Sequence, residues 1–278
     1  MALIGYLSTA NKLEKILPGS PIDALTKNEP LKTVDGRTNL LIFGTSYDDP
    51  NPSHTGGYLT DSLIVLSIDE RTKQAYTVSI PRDLWVNYDT SCNLGKSGKV
   101  NAAYTCALKA HGKDSDKASR ALASKIGGIL DLQIQYYIEV NYTFIQSLTD
   151  ALGGIDVDIY SADARGIYDP TVGLTVPAGV NHLDGKTALK LARARNSHGG
   201  YGLPRSNFDR EINQQRIIAA IFKKASTDGT LNDVNGALKL INALNGQVRT
   251  NVQTGELRSA VAAARSLNAD KIISIPLT

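Results

Sequence analysis

Residues 191–216, LARARNSHGGYGLPRSNFDREINQQR, set five arginines (Arg193, Arg195, Arg205, Arg210, Arg216) against Asp209 and Glu211, a surplus of +3 equal to the formal net charge of the whole chain. Guanidinium groups make paired hydrogen bonds to phosphate oxygens, so the cluster reads as a phosphate clamp, the alternative being a solvated basic face. On a continuing helix Arg193 and Arg195 would diverge. The breaker run NSHGG directly behind them ends the helix and lets them act together. Asn207, Arg210 and Gln214 share one stripe at the start of the next helix, whose free N–H groups favour anions.

A second candidate is SIPRDLW, residues 79–85. Pro81 ends a strand, which leaves Arg82 and Asp83 at its carboxyl edge, where open α/β sheets bind ligands; the other reading is a structural ion pair. Cys92 and Cys106 lie 14 apart with no histidine spaced for zinc. They read as a disulfide formed outside the reducing cytosol, the alternative being two buried thiols. His54, His111, His182 and His198 are scattered, and no Walker loop, GxSxG, HExxH or CxxC occurs.

The elements that must position these residues interleave along the chain. TNLLIFG (38–44) and DSLIVLSI (61–68) are continuous apolar runs, as in strands covered on both faces, and AYTVSI (75–80) is the hairpin partner of the second. Helices are expected over 115–132 with Ser115 or Asp116 as cap, over 141–154 with Asn141 as cap and Gly153 as stop, near DGKTALKLARA, and from about Asp209 to Ala225. Gly127-Gly128 and Gly153-Gly154 read as helix caps. Residues 1–36 read as a membrane-proximal helix and linker, and 37–278 as one α/β domain with helices on both faces of a sheet. The opening MALIGYLSTANK is too short an apolar run to span a bilayer and lacks signal-peptide features. With 278 residues, 42% of them hydrophobic, the composition is that of a globular protein. Aromatics are only 6% and no base-stacking motif accompanies the charge, which argues against nucleic acid as a partner.

In order, LLIFGT, LTDSLIVLSID, SIPRD, KVNAAY, DALGGIDVDI, HLDGKTALKLARAR and FDREINQQR resemble the LytR-CpsA-Psr (LCP) family over about residues 37–225. The resemblance implies a three-layer α/β/α sandwich with a central mixed sheet and an apolar lipid tunnel. It also implies a phosphotransferase that moves a glycopolymer from a polyprenyl-pyrophosphate carrier to peptidoglycan, with pyrophosphate cleavage as a side activity. Its place would be the extracytoplasmic face of the cell membrane, anchored by a helix preceding residue 1. The alternative is a non-catalytic polyprenyl-phosphate binder. By motif, the resemblance makes Arg82, Arg193, Arg195, Arg210 and Gln214 pyrophosphate ligands and Lys99 and Asn101 supporting site residues. Arg82, Arg193, Arg195 and Asp61 would be catalytic, with Asp61 the carboxylate for Mg2+. The chain departs from the family pattern at Ser46 (Asp48 and Asp49 being the nearest acids), Leu59, Asn207 and Asn213, departures that bear mainly on the metal.

Overall fold

The structure, a computed structural model, describes residues 16–45, 58–92, 95–141, 143–161, 163–198, 201–230, 234–244, 246–267 and 272–277. In chain order come α1 (Asp23–Thr26), β1 (Arg37–Thr45), β2 (Thr60–Asp69), β3 (Ala75–Ser79), β4 (Trp85–Cys92), β5 (Gly95–Lys99), α2 (Ala103–Ala110), α3 (Ser115–Leu130), β6 (Tyr136–Val140) and α4 (Phe144–Ala151). There follow β7 (Ile155–Ile159), β8 (Ile167–Asp169), β9 (Leu174–Val176), β10 (Gly179–Leu183), α5 (Gly185–Arg193), β11 (Ser197–His198) and β12 (Tyr201–Gly202). The last elements are α6 (Asn207–Thr227), α7 (Val234–Leu244), β13 (Val248–Thr250), α8 (Leu257–Ser266) and β14 (Ile273–Pro276). They form two compact units, one of residues 1–142, 245–267 and 271–278, the other of 143–244 and 268–270.

The first unit is built on a mixed six-stranded sheet, ordered β13-β6-β1-β2-β3-β14 and flanked by helices. β2 runs antiparallel to β1 and β3, while β6 is parallel to β1 and β14 to β3. The carboxyl ends of β6, β1, β3 and β14 therefore share one edge with the beginning of β2. The period-two alternation sends Leu41, Phe43, Leu63, Val65 and Tyr137 to one face, where Tyr104 of α2 and Leu122 and Ile126 of α3 complete the core. On the opposite face Tyr136 donates its hydroxyl to Glu256 at 2.7 Å and accepts from the Lys32 N–H at 2.8 Å. Part of the expected linker is thus tied down, Lys32 to the sheet and the rest to the 3-10 turn before α8: Thr254 N–H bonds Pro18 O at 3.0 Å and Glu29 N–H bonds Gly255 O at 2.9 Å. The helix expected at the start of residues 1–36 falls largely outside the described residues.

Three local expectations are corrected. The cap of α3 is Asp114, whose carboxylate accepts from Lys117 N–H, because Ser115 and Asp116 already lie inside the first turn. Asn141 does not cap α4, which begins at Phe144; the Asn141 N–H is bonded to Gln247 O at 3.0 Å. Gly127 and Gly128 lie within α3, and at Gly127 a Cβ would come within 2.4 Å of the Leu132 carbonyl, so glycine is there for close approach of the returning chain. The β4–β5 hairpin is unexpected from sequence, since β5 consists entirely of polar and glycine residues.

In the second unit β7 pairs antiparallel with β10 and β8 with β9. Ile155, Val157, Ile159, Ile167, Leu174, Leu191 and Ile217 form its core. Among the described residues no helix is long and apolar enough to cross a membrane.

Candidate functional site

Arg82 and Asp83 follow the end of β3, and Asp61 is the second residue of β2, so the sheet brings both to the same edge. Arg82 Nη1 donates to Asp61 Oδ1 at 2.7 Å. Lys99, at the end of β5, places Nζ 2.6 Å from Asp83 Oδ1. Asn101 is buried in the 3-10 turn that follows; its N–H donates to Arg82 O at 3.2 Å and its carbonyl accepts from Thr60 Oγ1 at 3.2 Å. Asp61, Arg82, Asp83, Lys99 and Asn101, taken from three separate motifs, therefore meet in one cluster. Arg82 Nε is buried and makes no hydrogen bond among the described residues, with Asp83 Oδ1 3.9 Å away. A buried guanidinium N–H without an acceptor is costly, so this donor is suited to a ligand oxyanion.

Beside this cluster the sheet buries a carboxylate that the motif reading missed. Glu139 of β6 is 1% exposed. It accepts from Tyr104 OH at 2.9 Å and Thr45 Oγ1 at 3.2 Å, with Arg249 Nη1 at 3.4 Å. Burial pushes its carboxyl above the ordinary value against the pull of Arg249 and the two hydroxyls. Burial and the neighbouring Glu139 likewise raise Tyr104, which keeps its proton and stays a donor. The available signal was a lone acid within the apolar strand YYIEV.

In the second unit α5 is placed by Asp184, which caps it by accepting from Thr187 N–H at 2.7 Å. Gly185 also helps, since a Cβ there would meet the Gln146 carbonyl of α4 at 2.2 Å. The helix ends at Arg193, as expected, and Ala194 is extended and fully buried. In extended backbone neighbours alternate, so Arg193 and Arg195 both face outward and are exposed. The turn is held from beneath by Asp169, a second residue missed in the sequence. Asp169 Oδ2 accepts from the N–H groups of Arg195 at 2.9 Å and Asn196 at 3.0 Å. Its Oδ1 accepts from the Thr171 N–H at 3.0 Å and from the Thr171 hydroxyl. Burial alone would raise this carboxyl, but the bonds from Thr171, Arg195 and Asn196 prevail and hold it at about 2. The signal was Asp169-Pro170-Thr171, an Asx-turn sequence.

Gln214 lies on α6 and donates Nε2 to the Ala192 carbonyl at 3.0 Å, which joins α6 to the end of α5. Arg210, one turn earlier on the same stripe, is 3% exposed. The other two arginines of the opening stretch are engaged elsewhere. Arg205 grips Asp209 at 2.7–2.9 Å, and Arg216 lies over the Tyr160 ring at 5.6 Å and reaches Asn213 Oδ1 at 3.4 Å. Among the described residues no group of three or more His, Cys, Asp or Glu gathers as a metal site. Ser46, Asp48 and Asp49 lie outside the described residues. Cys92 and Cys106 are joined as a disulfide, their Cα atoms 5.3 Å apart.

A family model described as LytR_cpsA_psr matches residues 1–278. The chain belongs to the LytR-CpsA-Psr family. Among LCP relatives it is 28% identical over 249 residues to the polyisoprenyl-teichoic acid–peptidoglycan teichoic acid transferase TagU of Bacillus cereus, covering 88% of this chain and 68% of that protein. Two solved structures share the fold. They are B. subtilis TagV, with TM-score 0.65 and 24% identity over 88% of this chain and 86% of that one, and TagT bound to LI-WTA, with TM-score 0.63 and 20% identity over 91% and 84%. The mixed sheet flanked by helices expected from the LCP resemblance is thus the fold of this chain.

Proposed function

We propose that this LCP chain transfers a glycopolymer from a polyprenyl-pyrophosphate carrier to a hydroxyl of peptidoglycan, leaving a phosphodiester. Membership of the family and similarity to TagU, a transferase by name, support the class of reaction. The observation that carries the chemistry is Arg82, fixed by Asp61 through one nitrogen and presenting a second, buried N–H that no acceptor among the described residues satisfies.

In this reaction the acceptor oxygen bonds to the glycan-side phosphorus, the bond from that phosphorus to the prenyl phosphate breaks, and the hydroxyl proton is lost. Charge builds on the phosphoryl oxygens, and catalysis is mostly positioning and neutralisation of that charge. Arg82 in the first unit is a guanidinium donor suited to that charge, and Arg193 and Arg195 are the exposed guanidinium donors that the second unit offers. Lys99 holds Asp83, Gln214 holds the end of α5, and Arg210 adds positive charge on the same stripe of α6. Mg2+ commonly binds through one or two carboxylates plus substrate phosphates, and Asp61, about one-third exposed, fits as such a carboxylate. When bound, the ion would offset charge on the pyrophosphate. For the prenyl chain, an apolar tunnel beside the sheet is supported by Leu40, Ile42 and Ile138, which lie only half-buried on the face opposite α2 and α3.

The test is release of prenyl phosphate from a prenyl-pyrophosphoryl glycan. Arg82→Ala and Arg195→Ala are each expected to lower kcat by about 100-fold or more while changing ground-state binding much less. Arg195→Lys should rescue poorly, since a point charge lacks the bidentate fork. A wild type that binds this substrate but releases nothing would replace the transferase by a polyprenyl-phosphate binder.

A further inference from the structure

Residues 83–88, which lead into and begin β4, alternate in burial. Leu84, Val86 and Tyr88 pack toward the core beneath α2 and α3, while Asp83, Trp85 and Asn87 are exposed. Trp85 is the single tryptophan of the chain and is 69% exposed. Leaving so large an apolar surface in water is unfavourable unless a ligand covers it. Trp85 and Asn87, with Ser124, Lys125, Gly128 and Ile129 of α3, line an open groove of about 450 Å3. Gly128 is its open floor, where an added Cβ would meet nothing within 4 Å. The residue directly opposite Trp85 on β5 is Lys99, which holds Asp83 next to Arg82. Directly opposed residues share one face of the ladder, roughly 5 Å apart. The groove is therefore continuous with the Arg82 cluster.

We infer that this groove binds the glycan strand of the acceptor, with a pyranose ring stacked on the Trp85 indole. The inference rests on the transferase reading. A donor is gripped through its phosphates, whereas the acceptor hydroxyl sits on a sugar with no charged handle. Such a ring is recognised by its apolar C–H face against a flat aromatic, with hydrogen-bonding groups at the rim, here the Asn87 amide, the Ser124 hydroxyl and the Lys125 ammonium.

Because Trp85 is the only tryptophan, its fluorescence reports on the groove alone. Titration with an N-acetylglucosamine tetramer is expected to change the emission saturably. Gly128→Leu, which fills the floor, should weaken that binding about tenfold or more, a readily measured step in affinity. Followed by calorimetry, Trp85→Ala should lose a similar factor and Trp85→Tyr should retain binding within a few-fold, all three variants keeping the melting temperature of the wild type. No saturable change with the tetramer overturns the inference. So does a response to phosphatidylglycerol vesicles alone, which would make this a membrane-facing surface. A response to a prenyl-pyrophosphoryl disaccharide but not to the tetramer also overturns it, because the groove would then belong to the donor. Prenyl phosphate release by the wild type is measured separately, so failure of the transferase reading and failure of the groove are distinguishable.

Discussion

Asp169 illustrates how one side chain sets the geometry of two others. Its carboxylate takes the backbone N–H groups of Arg195 and Asn196 and fixes the turn that leaves Arg193 and Arg195 exposed. With a carboxyl at about 2 against an ordinary 3.8, Asp169 contributes about 2 kcal/mol to folding. A carboxyl depressed in the folded state contributes in full above its unfolded value and loses the contribution as pH falls through the folded one. Urea unfolding of Asp169→Asn is therefore expected to show about 2 kcal/mol less stability than the wild type at pH 7. That gap should close as pH falls from about 4 toward 2. A gap independent of pH would mean that the asparagine fails for steric reasons alone. The same variant should lower kcat/KM at pH 7, because the arginines lose their support.

At the scale of elements, the β4–β5 hairpin carries Lys99 and leads into Asn101, and the disulfide ties its Cys92 end to Cys106 on α2. A closed loop of this size constrains the unfolded chain by about 3 kcal/mol in the chain-entropy model. Cys92→Ser with Cys106→Ser is expected to lower stability by about that amount. Hydrogen exchange should speed up at Lys99 and Asn101 and stay slow in the core strands β1 and β2. Unchanged exchange at Lys99 and Asn101 would show that the strand pairing and the Asn101–Arg82 backbone bond hold the hairpin without the disulfide.

For the molecule as a whole, the proposed reaction requires accommodating a long apolar chain next to a charged headgroup. The half-buried apolar side chains of Leu40, Ile42 and Ile138 would gain free energy on being covered. Protein purified without detergent from a cell that makes polyprenyl lipids is expected to carry a prenyl phosphate, detectable by mass after solvent extraction. Finding no lipid, together with no binding of added prenyl phosphates, would remove the tunnel from the proposal.

Much of this architecture is legible in the chain itself. Apolar runs and their breakers place β1, β2 and β3, the NSHGG run ends α5 behind Arg193, and Pro81 leaves Arg82 at a strand end, because these depend on local backbone preference and periodicity. Asp184 before Gly185 also announces a cap. The pairing of Asp61 with Arg82 is different. It depends on β2 running against β3, so that residues 21 positions apart meet at 2.7 Å. Glu139 looks in sequence like one polar residue in a strand, and only the packing of α2 and β13 beside β6 brings Tyr104 and Arg249 to it. Asp169 lies 26 residues before the turn it supports, and Trp85 has the pattern of a core residue until the hairpin register turns it to solvent. Periodicity along the chain tells which residues can be buried. Which charges and rings converge is decided by strand register and by the crossovers between elements, and these exist only once the chain has folded.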